Sequence, residues 1–179
     1  YLIDYELNLW SNFTYLLDDP VDGDQFEQVD DRTIFGAGWQ TSWKTDSWAG
    51  DLDQRLGAEF RYDDIDEVGL YRTREQRRIA TTRSDGVEVA SLGLYYELEW
   101  RLASNWRAVF GLRGDYYQFD VSADDPANSG DQDDGIISPK ASLIYSFSET
   151  TEAYLSGGRG FHSNDARGTT ITVDPVSGE

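Results

Sequence analysis

The chain of 179 residues contains no cysteine, so disulfides and thiolate metal sites are excluded, while the compartment stays open because a barrel in an oxidising periplasm needs neither. Its single histidine, His162, excludes a two-histidine zinc motif. Basic residues are scarce, 15 against 34 acidic ones, and the formal net charge of -19 excludes nucleic acid as a partner, since binding it requires neutralised phosphates. No run of about 18 apolar residues occurs, so no transmembrane helix is expected. That absence leaves β-barrels open, because their strands alternate and their interiors are wet.

Chemistry-bearing motifs are equally thin. Gly158-Arg159-Gly160 lacks the third glycine of a dinucleotide loop and precedes no helix. His162, Ser163 and Asp165 have the residue types of a hydrolase triad, but three neighbours on one loop do not make that spatial arrangement. The acidic runs Asp18 to Asp24 and Asp131 to Asp134 lack the spacing of a calcium loop and read as solvated charge. No cofactor, resident metal or catalytic residue is expected, and the chain is not expected to be an enzyme.

What is present is alternation. From Ala90 to Leu102 the even positions are apolar and the odd positions read Ser91, Gly93, Tyr95, Glu97, Glu99 and Arg101, the period of a strand. The even face resumes with Trp106, Ala108, Phe110 and Leu112 after a short connection, which makes a hairpin. A loop at Leu102 to Ser104 sets Trp100 opposite Trp106 and Glu99 opposite Arg107. The alternative loop, Ala103 to Asn105, opposes Arg101 and Arg107, and like charges directly opposite destabilise a ladder. Further alternating stretches are Tyr1 to Leu17, Arg32 to Lys44, Leu52 to Tyr62, Ile137 to Phe147 and Glu152 to Phe161. Pro139 belongs at a strand entry, because proline cannot donate to a ladder.

Each arm of the hairpin runs for about a dozen residues, longer than ordinary soluble strands and enough to cross a bilayer at a tilt. Connections near 45 to 49, 102 to 105 and 148 to 150 read as short. Those at 18 to 31, 63 to 86, 122 to 135 and beyond 162 read as long. This is the rhythm of an outer-membrane barrel with short periplasmic turns and long extracellular loops. Trp43, Trp48, Trp100, Trp106 and Phe147 lie beside the short turns, where an aromatic girdle belongs. The expected fold is all-β: an up-and-down antiparallel segment of a transmembrane barrel, about seven strands, incomplete and therefore unclosed. The start at Tyr1 and the loop-like end at Glu179 read as an excerpt of a longer chain.

The segment Ser138 to Gly168, SPKASLIYSFSETTEAYLSGGRGFHSNDARG, resembles the barrel of TonB-dependent outer-membrane receptors, and Trp106 to Tyr117, WRAVFGLRGDYY, fits the same family. In that family a barrel of roughly 22 strands surrounds an N-terminal plug. A TonB box couples uptake of iron chelates such as siderophores, cobalamin or other scarce nutrients to inner-membrane energy. The resemblance implies residues 1–179 as a partial barrel domain in a Gram-negative outer membrane. Its implied partners are lipid, the plug of the same full-length chain, TonB through the absent N-terminal part, and a small-molecule ligand. A passive porin and a secreted acidic carbohydrate-binding β-sandwich are the alternatives. His162, Asn164, Asp165 and Arg167, where the last strand meets a long loop, are the candidate ligand-binding or plug-contacting residues. The same side chains could instead hydrogen-bond among themselves to shape the loop.

Overall fold

The computed structural model describes residues 1–11, 13–17, 19–161 and 165–174. Seven antiparallel strands form one sheet in chain order: β1 (Leu2–Trp10), β2 (Phe26–Thr45), β3 (Asp51–Arg74), β4 (Arg77–Ala103), β5 (Trp106–Ser122), β6 (Gly130–Ser148) and β7 (Thr151–Gly158). β1 and β7 are the two edges, so the sheet is an unclosed meander as expected, and among the described residues there is no second sheet of the kind a sandwich would need.

Alternation decides the faces. On β4, Leu92, Leu94, Tyr96 and Leu102 are exposed, beside Phe60 of β3 and Phe110 and Leu112 of β5. The opposite face carries charge: Glu97 takes both Arg55 and Lys140, and Arg101 reaches Asp53 at 3.0 Å. Near the short turns, Trp106, Tyr145 and Phe147 form a chain of rings with centroids 4.7 and 4.8 Å apart. Trp100 donates its indole N–H to the Ala49 carbonyl, 2.9 Å away, which ties a strand to the neighbouring turn.

Four expectations are corrected. Residues 63–86 are not a loop: β3 and β4 continue through them to a two-residue turn at Glu75 and Gln76. Both residues have positive φ, 50° and 59°, the mirror-image turn that asparagine and glycine normally announce. Glutamate and glutamine hide it. Polar alternation had the same effect at 26–31 and 130–135, which belong to β2 and β6. At about 3.3 Å per residue, 24- and 27-residue strands far exceed the hydrocarbon thickness even when tilted, so their outer halves stand in water.

The hairpin register is the alternative one, with Arg101 opposite Arg107 and Trp100 opposite Ala108. Neither Ser104 nor Asn105 has positive φ, so the turn lacks the strand-matching twist, and a register shift between Arg101 and Ala103 absorbs the mismatch. The two guanidiniums diverge, Arg101 to Asp53 and Arg107 to Glu152 at 3.3 Å, which removes the penalty that argued against this pairing. Pro139 lies within β6, opposite Leu112, rather than at its entry. Its carbonyl accepts from the Arg159 N–H at 2.9 Å, so its donor-less nitrogen faces the point where β7 ends. Finally, β1 stops at Trp10 instead of Leu17 and pairs with residues 27–35 of β2, while β7 ends at Gly158 and pairs with residues 140–148 of β6. The edge strands therefore line opposite ends of the sheet.

Leu98→Arg or Phe110→Arg should destabilise the inserted full-length protein by roughly 2 to 4 kcal/mol near the midplane, while Glu97→Gln on the other face should insert normally. Folded yield in bilayers checks this, and equal insertion of all three would reverse the faces. At the outer turn, Gln76→Gly should stabilise by roughly 1 kcal/mol, readable from the denaturation midpoint, because glycine removes the left-handed penalty.

Candidate ligand site on the concave face

Arginine and aspartate two residues apart on a strand share a face. The chain repeats this spacing on four consecutive strands: Asp30 and Arg32, Arg61 and Asp63, Arg83 and Asp85, Arg113 and Asp115. Every one of these pairs is an ion pair, at 2.7 Å for Arg61 with Asp63 and 2.8 Å for Arg113 with Asp115. Two inward glycines make room: a Cβ at Gly93 would strike the Arg113 guanidinium, and one at Gly57 the Tyr95 ring. The charged side chains thus lie flat across the wall.

Above this belt the segment after β7 turns inward. A 3-10 turn at Ala166–Thr169 seats Ala166 against Ile65, Val87 and Val121, a small apolar core on an otherwise polar face. Asn128, buried in the β5–β6 connection, holds the far end of this strap. It accepts from the N–H groups of Thr172 and Val173 at 2.8 and 2.9 Å and donates to the Val173 carbonyl at 2.9 Å. Between strap and sheet lies a cavity of about 710 Å3, lined among others by Arg32, Arg61, Arg83, Tyr117, Phe119 and Arg167.

The strap's clasp is electrostatic. Asp85, whose side chain is fully buried, accepts from Arg83 and lies 3.6 Å from Arg167 Nη1. Arg167 also bonds Asp165 at 2.6 Å and donates to the Val68 carbonyl at 3.3 Å. Two guanidiniums face two carboxylates, so no net charge is buried. Burial alone would raise the Asp165 carboxyl, but the Arg167 guanidinium and backbone N–H hold it below the ordinary value. Burial likewise opposes the charge on Arg167, and the hydrogen bond and charge of Asp165, with Asp85, outweigh it.

Of the four candidate residues, His162 and Asn164 lie outside the described residues. Asp165 caps the 3-10 turn by accepting from the Arg167 N–H at 3.0 Å, and Arg167 borders the cavity. Arg83, Asp85 and Asn128 were not anticipated. The two-residue spacing of opposite charges was their available signal. The basic cluster at the β3–β4 tip also has a visible role: Arg72 pairs with Asp19 and Arg74 with Asp22 at 2.7 Å, holding the β1–β2 loop, and Arg78 pairs with Glu27 at the start of β2 at 2.5 Å. Asp19 itself is lowered by the N–H groups of Asp22 and Val21. Among the described residues no three ligating side chains gather to hold a metal ion.

A family model described as "TonB dependent receptor-like, beta-barrel" matches residues 3–177. The chain belongs to this family of outer-membrane receptor barrels, which transport rather than catalyse. Among curated proteins none matches it.

Asn128→Ala should leave the strap's donors and acceptor unpaired, cost about 1 to 3 kcal/mol locally, and speed hydrogen exchange at 165–173 while the sheet stays protected. Because the Asp165 carboxyl is depressed, its contribution is present above the ordinary aspartate range of about 4 and is lost as pH falls through the lower folded value. Exchange of the strap measured against pH should show that order, and loosening on alkalinisation would contradict it.

Proposed function

We propose that this chain is the partial barrel domain, over residues 1–179, of a receptor that actively takes up a scarce nutrient such as an iron-siderophore complex across a Gram-negative outer membrane. The observation that carries the reading is the charge-paired cavity under the inward strap, on a face that in this family surrounds a plug. Short turns at 46–50, 104–105 and 149–150 face the periplasm in this reading, and the strap end faces the medium. Lipid meets the apolar face, the plug is a domain of the same full-length chain, and TonB engages through the N-terminal part of that chain. His162, Asn164, Asp165 and Arg167 contribute to ligand contact or to positioning the plug. Asp165 and Arg167 do so through the strap they clasp.

A passive porin shares the alternation of faces. The discriminating experiment is uptake of labelled ferric chelates by cells carrying the full-length protein, with and without functional TonB. Accumulation of a ferric chelate lost on TonB inactivation is the expected result. Entry indifferent to TonB would favour the porin, and TonB-dependent entry of cobalamin alone would overturn the siderophore class.

A further inference from the structure

The strap creates a second recess, which adjoins the charge-paired cavity along Tyr117, Phe119 and Asp165. Its volume is about 420 Å3, within the small-molecule range, and it lies between β5, β6 and the strap. Tyr117 and Phe119 stand two residues apart on β5, so they share the concave face and stack with rings 4° from parallel and centroids 5.9 Å apart. Phe161, just beyond β7, sets its ring at 77° to Tyr117 with centroids 5.8 Å apart. Three aromatic rings therefore meet at one recess. Opposite them, β6 contributes Gln132 and Asp134, which pair with Phe119 and Tyr117 across the ladder.

The two spaces share Tyr117, Phe119 and Asp165, the last neutralised by Arg167. In the larger cavity Asp30 and Asp63 also each have their own guanidinium. At the recess, Asp134 accepts from the Gly135 N–H at 2.7 Å and Asp133 from the Tyr116 hydroxyl at 3.1 Å, and neither forms an ion pair among the described residues. The three rings contact one another, and among the described residues guanidiniums sit over Tyr71 and Tyr95 but none over Tyr117, Phe119 or Phe161. A ring presents its negative face to a cation, and a nearby carboxylate without a counter-charge adds to that attraction.

We propose that this recess binds an organic cation, a quaternary ammonium or protonated amine, carried by the ligand that the receptor meets at its mouth. A bare metal ion is a poor fit, because Asp133 and Asp134 are successive residues of β6 and point to opposite faces, whereas a charged alkylammonium uses rings and carboxylate together. The inference rests on the concave mouth being the ligand-receiving side.

The test uses the full-length receptor in detergent micelles, with choline as probe and 3,3-dimethylbutan-1-ol as its uncharged isostere, followed by saturation-transfer NMR. Choline should bind at least about five-fold more tightly than the isostere, and Asp134→Asn or Tyr117→Leu should each weaken choline by a similar factor. Tyr117→Phe keeps the ring and should bind as the native protein does, which guards against loss of fold. Equal binding of choline and isostere, absence of choline binding, or choline binding unchanged in both weakening variants would each overturn the proposal. TonB-dependent uptake of a ferric chelate that persists alongside such a result would leave the receptor reading standing and remove only the cation site.

Discussion

Everything in this structure follows from the need to pair every backbone N–H and C=O within the sheet where water is absent. A hydrocarbon layer offers no substitute partner, so a spanning chain of strands must keep its ladder unbroken from one turn to the next. β3 and β4 meet that need over more than twenty residues each, and the irregularities of the ladder between them all fall in the outer half, where water can satisfy what a bulge leaves unpaired. Pro139 obeys the same rule, because its missing donor faces the place where β7 has ended.

A continuous ladder fixes which side chains share a face, and the inner face is then an electrostatic problem. Arginine and aspartate at two-residue spacing solve it locally, since each of β2, β3, β4 and β5 carries its own neutral pair. Where the pairs come under the strap, as at Asp85 and Arg83, neutrality becomes a requirement, because an unpaired buried charge would cost several kcal/mol. Asp134 of β6, which has no ion pair among the described residues, stands outside this set of pairs. One wall presents a charge-paired space and, beside it, one with the unpaired Asp134, and Tyr117, Phe119 and Asp165 border both.

The strap converts a curved sheet into a site. Without it, Ile65, Val87 and Val121 would be an apolar patch on a wet face; Ala166 covers them, and the guanidinium of Arg167 locks the cover to Asp85. Small side chains matter in this seat because the backbone of the 3-10 turn must come close to the sheet. Asn128 does for the far end what a second strand would otherwise do, supplying paired donors and acceptors to irregular backbone.

Periodicity determined the number of strands and which face is apolar, because a period of two is a local property of consecutive residues, and the short turns implied the antiparallel order. The family was legible in Ser138 to Gly168 and Trp106 to Tyr117 for a similar reason: it is carried by side-chain identities in order. Strand lengths above the membrane were not legible, since both faces there are polar and the Glu75-Gln76 turn carries no glycine or asparagine. The Arg101 and Arg107 pairing was not legible either, because its cost is cancelled by Asp53 and Glu152, distant in sequence. The candidate site divides the same way: Asp165 and Arg167 stood out as polar residues at a strand end. Only the folded chain brought Arg167 to Asp85, Ala166 to Val87 and Phe161 to Tyr117, because those contacts depend on where the strap crosses the sheet, a distance that no local pattern encodes.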